Sequence, residues 1–553
     1  MSLPLCYSLH ITSLLHYSLT CYTALMSNYR VYENNEGIAG VDPVVAKMLR
    51  LRGVNTPEDA QVFLNPTYDN LGAPALLHDM NTAVTRILEA IEKEEKICIY
   101  ADYDADGIPG AVVLSSFFEA ISYTNWQVYI PHRHDEGYGF HIPAIDTLAS
   151  SGVTLIITID LGIRAVDAVA YASSLGIDVI VTDHHEPGEV LPDAVAVVNP
   201  KVGDTYPDPM LCGAAVAWQL VRGLMRKTIQ KDIDKKALFP DGWEKWLLDM
   251  VGIATVCDMV PLLGENRILA TYGLVVIGKT RRPGLRGLMA ALRLRSEQVT
   301  EEDIGFSIGP RINAASRMSH PIEAYNLFMS KVPQETETLV HHLVECNEQR
   351  KKETAKIMRA VHKKLSAREL GSVIVIGDLE WNQGVLGLIA SKLVDEYNRP
   401  VMVWSQNGGG ILKGSCRSDQ RADLMALMGA LPPETLIQFG GHKGAAGFSV
   451  SKESIHSLEA LLCDAYDTLY PHEGASEETI MLDAECTIGD INKTTYQQIR
   501  MLAPFGVANP KPQFILRQVT IISVKQFGAG KQHLEIVVGD RTGPAKKASA
   551  FIA

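Results

Sequence analysis

Residues 97–110 read ICIYADYDADGIPG, and this stretch decides how the rest of the chain is understood. The apolar run Ile97–Ala101 has the length and composition of a strand buried in a parallel sheet. It breaks directly into Asp102, Asp104 and Asp106, followed by Gly107. Carboxylates on alternate residues at a strand's end repel one another, and they cost free energy unless a cation neutralises them. Hard divalent ions such as Mg²⁺ or Mn²⁺ take carboxylate oxygens in this way. Open α/β sheets also put their ligands at the carboxyl ends of strands. A lone D-x-D is more often an acidic surface turn, but this one has company. The apolar run Val153–Ile159 ends in Asp160-Leu161-Gly162, and Ile177–Thr182 ends in Asp183-His184-His185. A fourth candidate, Asp258, sits in GIATVCDMVPL. Parallel strands would bring the three run ends to one edge.

Length and composition bound the answer. At 553 residues the chain is too long for one core and implies about three or four domains. A hydrophobic content of 46% with 21% charged residues excludes wholesale disorder. The net charge of −13 argues against a non-specific duplex coater, though not against a nuclease, because carboxylates at a metal site are cancelled locally. Nine scattered cysteines without a C-x-x-C pair read as reduced thiols in a cytoplasmic protein and make a zinc site improbable. No stretch approaches the ~20 apolar residues that span a bilayer, and no Lys or Arg precedes Arg30, so neither a membrane anchor nor export is expected.

The order DYDADG, TIDLGI, DHH and a late Asp before Val-Pro-Leu resembles the DHH phosphoesterase superfamily and, within it, the RecJ family of bacterial single-strand-specific DNA exonucleases. Further motifs carry the resemblance along the chain. GPRINAASRM at Gly309–Met318 reads as a glycine-proline turn with two arginines and an asparagine, suited to phosphate; it resembles the family's GPRINAAGR with Ser316 in place of a glycine. WNQGVLGLIASKL, GSCRS at Gly414–Ser418 and FGGHKGAAGF at Phe439–Phe448 resemble the DHHA1 domain that accompanies DHH cores, with Asn382 where the family has histidine. PFGVANP at Pro504–Pro510 is similar to the family's P-x-G-x-G-N-P, with Ala508 replacing glycine. The loop PHRHDEGYGF, with His132, Arg133, His134 and Tyr138, resembles a family EGYG loop.

The expected architecture is α/β. A disordered tail (1–30) precedes a helical leader (31–95) and a parallel-sheet DHH catalytic core (96–330). A connecting helix (331–366) leads to a DHHA1 substrate-binding domain (367–474) and a C-terminal β-barrel OB fold (475–553) that looks incomplete beside the family's. The leader reads as a structural cap, and the charge-rich face of the long helix as a solvated one.

What the resemblance implies is a 5′-to-3′ exonuclease that hydrolyses single-stranded DNA to mononucleotides in repair and recombination. Two divalent cations, Mn²⁺ or Mg²⁺, would be held by Asp102, Asp104, Asp106, Asp160, His184 and Asp258. His185 would face the scissile phosphate, with Asp183 as its orienter or a shared ligand, and two registers of D-x-D-x-D leave open which early aspartate lies further out. Arg311, Asn313, Arg317, Arg417, Ser418, Gly441 and His442 would bind the strand. A single-strand-binding protein and a helicase are the partners implied, and a monomer is expected. The alternatives are a DHH-family oligonucleotide or cyclic-dinucleotide phosphodiesterase, and a non-catalytic DHH scaffold; the retained ligand positions argue against the scaffold.

Overall fold

A computed structural model describes all residues except 1–4, 12–16, 23–28, 34–35, 407–409, 472–479, 518, 528–532, 540–545 and 551–553. Its centre is a five-stranded, wholly parallel sheet in the order Trp126–Tyr129, Ile97–Ala101, Leu155–Ile159, Asp178–Thr182, Ala196–Val198. Alternation along each strand feeds two cores. Ile97, Ile99, Leu155, Ile157 and Ile159 face the helices Gly107–Ala120 and Gly213–Lys231, whereas Cys98, Tyr100, Ile156 and Val179 face Ile142–Ser150 and Val166–Ser174. The chain order reverses between the second and third of these spatial neighbours, so the crevice of a doubly wound sheet opens where Ile97–Ala101 and Leu155–Ile159 end. Gly110 permits the close layer packing there: a Cβ would lie 2.5 Å from Ile159 Cγ2 and 3.2 Å from Ala214 Cα.

The helix Pro333–Leu365, 33 residues long, stitches two cores together. Val340 and Leu343 belong to the core around the parallel sheet, and Ile357, Val361 and Leu365 to that of a second domain. That domain carries a mixed sheet in the order Gln438–His442, Ala445–Val450, Leu412–Arg417, Val401–Gln406, Ile374–Gly377, parallel only in its last pair.

The leader helices Pro43–Leu51 and Pro57–Leu64 start at caps legible in the sequence: Asp42 accepts from Val44 N and Thr56 from Asp59 N. Arg52 ties the leader to the C-terminal region, donating to Asn509 Oδ1 (2.7 Å), Asp483 Oδ1 (3.1 Å) and the Pro510 carbonyl. Arg267, buried, does the same for the core by donating to the carbonyls of Phe63, Leu502 and Ala503. The PFGVANP segment is therefore a structural clamp, with Asn509 Nδ2 donating back to Leu502 and Pro504. Ala508, where the resemblance wants glycine, holds φ +60°.

Two expectations are corrected. Within the supposed disordered tail, Leu5–Ile11 and Tyr17–Tyr22 form an antiparallel hairpin, and Leu5–Ile11 pairs with Gln513–Leu516. Leu5, Tyr7, Leu9 and Ile11 alternate with polar residues or cysteine, a strand pattern that the edge of the C-terminal sheet can accept. The rest of residues 1–28 lies outside the described residues. The strand Lys546–Ala550 pairs with His533–Gly539, and Tyr17–Tyr22 runs beside it without a shared ladder, so its outer edge is not simply open. The GPR segment also differs from expectation: it is not a turn but helical, Gly309–Met318 continuing from Glu301–Asp303 through a π-helical turn, Ile304–Ile308, and Pro310, which has no N–H to give to the helix ladder, directly follows that irregular turn.

Candidate metal centre

Three strand ends converge as the sequence requires. Asp102 and Asp160 are 4% and 3% exposed, and the helix end Leu248–Cys257 delivers Asp258 as its cap. Asp160 adopts φ +63°, a left-handed backbone that costs a non-glycine residue about 1–3 kcal/mol. Its N–H donates to the Thr182 carbonyl at 3.0 Å, fixing the turn. Gly213 makes room for it, since a Cβ there would sit 2.6 Å from Asp160 Cβ.

The three early aspartates divide the work. Asp106 is almost fully buried and accepts from Gly213 N at 2.6 Å and Ala214 N at 2.7 Å, at the start of the helix Gly213–Lys231. Asp104 Oδ1 accepts from the N–H groups of Asp106 and Gly107, forming the loop. Asp102 Oδ1 is buried with no partner. Donor atoms lie within 4.8 Å of one another in three groups: Asp160, His184 and His185; Asp106, His184 and Asp258; and Asp102, Asp104 and Asp160.

The electrostatics follow from this crowding. Burial first, and neighbouring carboxylates second, raise Asp102 and Asp160 well above the usual carboxylate range, push Asp106 up to about 7 and Asp258 to about 9. Burial, aided by the adjacent His185, lowers His184 to about 3, so its ring is neutral. His184 Nε2 lies 3.2 Å from Asp160 Oδ1, 3.6 Å from Asp258 Oδ2 and 3.7 Å from Asp106 Oδ2. A neutral imidazole forms no ion pair with these oxygens, and His184 Nε2, Asp160 Oδ1 and Asp102 Oδ1 all remain buried without a hydrogen-bond partner. These orphaned atoms fall in neighbouring donor groups, with Asp160 shared between that of His184 and that of Asp102, and such groups fit hard divalent cations, whose charge would remove the repulsion that burial creates.

Asp183 stands apart. Its Oδ1 accepts from the N–H groups of His184 (2.7 Å) and His185 (3.1 Å) and lies 2.8 Å from His185 Nδ1, while Oδ2 accepts from Ile163 N. Burial opposes ionisation of Asp183, yet His185 and these N–H bonds hold it below the usual range. Burial likewise opposes a charged His185, but the Asp183 carboxylate outweighs it and raises the ring. Of the two readings for Asp183, the geometry fits an orienter of His185. Tyr138 Oη lies 3.5 Å from His185 Nδ1.

The residues assigned to strand binding are placed unevenly. Arg317 Nη1 donates to the Gly384 carbonyl at 2.8 Å, linking core to second domain, and burial lowers its pKa to about 9. Asn382 caps the turn that presents Gly384, accepting from its N–H at 2.8 Å. Asn313 Oδ1 accepts from Ala105 N at 2.9 Å, so it braces the DYDADG loop. Arg311 Nη1 donates to the carbonyls of Phe306 and Ser307, and its Nε is buried without a partner. Ser418 is a turn residue rather than an open donor: its Oγ donates to the Ala422 carbonyl at 2.6 Å. Arg417 donates to the Cys416 carbonyl and Ser415 Oγ. His442 ends the exposed strand Gln438–His442, and burial together with the cations of Arg417, His185 and Arg164 holds its ring below the ordinary range. Gly441, at φ +146°, could not carry a Cβ, which would fall 2.5 Å from the Ala445 carbonyl oxygen.

Sequence reasoning missed Asn199, fully buried, whose Nδ2 donates to the His185 carbonyl at 3.0 Å. The signal was present: Asn199-Pro200 ends the apolar run Ala196–Val198 as the aspartates end theirs. It also missed the pair of N–H groups at Gly213 and Ala214, which only the packing of helix against strand end brings to Asp106.

Comparison with known proteins agrees with this geometry. Family models match for the DHH family N-terminal domain at residues 96–240, the DHHA1 domain at 370–467 and the RecJ OB domain at 482–552. The chain is 36% identical over 502 residues to the single-stranded-DNA-specific exonuclease RecJ of Bacillus subtilis, a match that covers 90% of this chain and spans 62% of that relative's length. It is 31% identical to RecJ of Haemophilus influenzae, covering 91% of this chain and 88% of the relative. Among solved structures, RecJ from Thermus thermophilus in complex with Mn²⁺ superposes with a TM-score of 0.76 at 25% identity, over 93% of this chain and 76% of that one. With the DHH motifs gathered at one sheet edge and relatives of this kind matched over nine-tenths of its length, the chain belongs to the RecJ family of DHH phosphoesterases.

Proposed function

We propose that this chain hydrolyses single-stranded DNA from its 5′ end, releasing mononucleotides, as a two-cation phosphodiesterase of DNA repair and recombination. The observation that carries the reading is the convergence of Asp102 Oδ1, Asp160 Oδ1 and His184 Nε2, buried and unpartnered, at the carboxyl edge of the sheet. Relatives named single-stranded-DNA-specific exonucleases, and a neighbouring structure holding Mn²⁺, supply the substrate and the ion.

Asp102, Asp104, Asp106, Asp160, His184 and Asp258 would hold the pair of divalent cations, Mn²⁺ or Mg²⁺. The cations would supply acidification of a water and charge stabilisation on the phosphoryl oxygens. The chain's own part is positional. Asp183 fixes the ring of His185 and favours its charged form, so the imidazolium can donate to a phosphate oxygen. Asn199 fixes the backbone of His185 from below. Across the cleft, Arg417 offers a guanidinium and His442 a neutral ring N–H to backbone phosphate. Gly441 supports the turn that presents His442.

We assign residues 31–95 to a structural leader, 96–330 to the catalytic core, 331–366 to the connecting helix, 367–474 to the substrate-binding domain and the segment from 475 to the C-terminal β region. The chain would act in the cytoplasm as a monomer beside a single-strand-binding protein and a helicase. No described helix is long and apolar enough to cross a membrane.

The test is Mn²⁺-dependent release of nucleotides from 5′-labelled and 3′-labelled single strands, with duplex DNA, short oligoribonucleotides and cyclic dinucleotides as competitors. Preferred turnover of the small substrates would replace this reading with an oligonucleotide phosphodiesterase. Strand binding without any hydrolysis would replace it with a scaffold.

A further inference from the structure

A cavity of about 490 Å³ opens at the far end of the core from the metal centre. Two helices run between the two places. Gly107–Ala120 starts beside Asp106 and brings Ser116, Glu119 and Ala120 to the cavity wall. Leu248–Cys257 carries Asp249 on that wall in its first turn and ends at the candidate ligand Asp258. At a rise of ~1.5 Å per residue, the helices hold cavity and metal centre about 14–18 Å apart. None of the residues assigned to the cations or to the strand lines this cavity.

Its wall has an apolar part and a cationic part. Trp243 and Trp246, both half-buried, form the first with Leu247, Phe328 and Met329. Arg281 and Arg282 form the second. Arg282 donates from Nε to Asp249 Oδ1 at 3.3 Å and from Nη2 to Ser116 Oγ at 3.1 Å. Arg281 is exposed and pairs with no acid among the described residues; its guanidinium lies on the Trp246 ring, 3.7 Å from the centroid. Such stacking fixes the guanidinium plane and leaves its N–H edge free. The two acids on the wall are each neutralised, Asp249 by Arg282 and Glu119 by Lys331 at 3.0 Å. One positive charge therefore stays uncompensated beside two indole rings. Small-molecule sites run about 300–1,000 Å³, and this one is closed by helix ends, with no sheet edge to seat an extended chain. Flat indole faces take a flat aromatic ring, and a guanidinium fork takes phosphate oxygens in pairs. A nucleoside phosphate joins both chemistries in one molecule.

We propose that this cavity is a second nucleotide site, which takes a free nucleoside mono- or diphosphate, and that its occupation is felt at the metal centre. The base lies against Trp243 and Trp246, and Arg281 takes the phosphate with Arg282 adjoining. A ligand shifts a distant site only through contacts that differ between two states. Here that contact is the pair of Arg282 and Asp249. Phosphate competes with Asp249 for the Arg282 guanidinium, and Asp249 rides on the helix whose other end is Asp258. The binding half of the proposal is independent of the single-strand reading above, and the coupling half rests on it.

The experiment titrates ADP and inorganic phosphate into the metal-free full chain, followed by calorimetry and tryptophan fluorescence. ADP should bind at one site and quench the indole emission, and inorganic phosphate should bind at least about 10-fold more weakly for want of a base. Arg281→Ala should weaken ADP by about 10-fold or more, the scale of a lost charge-assisted hydrogen bond, whereas Arg417→Ala, on the cleft, should leave it unchanged. Absence of ADP binding, or binding that survives Arg281→Ala and is lost in Arg417→Ala, overturns the site. Phosphate binding as tightly as ADP overturns the nucleotide assignment. The coupling is read on the Mn²⁺-loaded protein cutting single strands with and without ADP. A change of rate that Arg281→Ala abolishes supports it; no change, or an equal change in both proteins as from chelation of Mn²⁺ by ADP, overturns it. If the chain cuts no single strands, the exonuclease reading and the coupling fall while the titration still decides the site. Because Arg281 is exposed, Arg281→Ala should melt with the parent protein, which separates lost binding from lost folding.

Discussion

The two rims of the cleft are built on opposite electrostatic terms. On the core side, Asp102, Asp106 and Asp160 are buried together with His184, and their charged forms are disfavoured by burial and by one another. At 4 Å and an effective dielectric of 20, each like-charge pair costs about 4 kcal/mol. On the second-domain side, Arg417 and His442 sit at the ends of neighbouring strands with no carboxylate among the groups that shift them; Arg417 donates to the Cys416 carbonyl and Ser415 Oγ, and His442 feels the cations of Arg417, His185 and Arg164. The first rim would be relieved by cations, whereas the second carries no such repulsion between carboxylates. Losing a group from the first should therefore change chemistry and metal-free stability together. Losing one from the second should change binding alone.

The largest effect tests the core rim. Asp160→Ala should reduce hydrolysis to background, while the chelated protein melts at the same temperature as the parent or higher, because the lost ligand also removes a repulsive charge and a strained carboxylate. Retained Mn²⁺-dependent activity in the folded variant would remove Asp160 from the ligand set. His185→Ala comes next, with kcat expected to fall by about 100- to 10,000-fold, the range of a positioned acid–base group. Mn²⁺ affinity, read by calorimetry, should change much less, since His184 holds the ligand position. Asp183→Asn should give a smaller loss and a lowered pKa in the pH–rate profile, through the ring of His185.

For the second rim, Arg417→Ala should weaken single-strand binding without altering kcat and reduce the salt slope by roughly 0.7, one phosphate's share. Arg311→Ala provides the contrast. The sequence places Arg311 on a phosphate, but its Nη1 is spent on two carbonyls, so its removal should leave the slope nearly unchanged and disturb binding through the π turn. A slope change as large as that of Arg417→Ala would return Arg311 to the strand.

The core rim also has a signature in pH. In the folded, metal-free chain Asp106 and Asp258 are raised to about 7 and about 9, above the value near 3.9 of an unfolded aspartate. Their contribution to stability is thus fully present below about pH 4 and is lost as pH rises through 7 and 9. The melting temperature of chelated protein should decline across that window, and Mn²⁺ should flatten the decline. A flat profile without metal would mean that these carboxylates are not crowded as drawn.

The legibility of the molecule follows the range of the interactions. The candidate metal edge was readable because Asp102, Asp160 and Asp183 each directly follow an apolar run, and parallel strands of similar length end together. The long helix was readable from its stripe of Leu339, Leu343, Cys346, Ile357 and Val361, of which Leu339 is partly buried and the rest are buried. GPRINAASRM misled because glycine and proline signal a turn locally, whereas here the helix that begins at Glu301 runs on past Pro310 through a π turn, which has no sequence signature. Residues 1–30 misled because an apolar stretch without charge carries no mark of the sheet edge that receives it.

By itself, then, the sequence determined the strands, their order of ligands, and the chemical type of the site, because these depend on neighbours one to five residues away. Only the tertiary structure decided which oxygens are free. Asp106 is engaged by the N–H groups of Gly213 and Ala214, more than a hundred positions distant, while Asp102 Oδ1 meets no donor at all. A carboxylate's role depends on which donors reach it in space, and those donors come from elements whose meeting is set by packing rather than by local pattern.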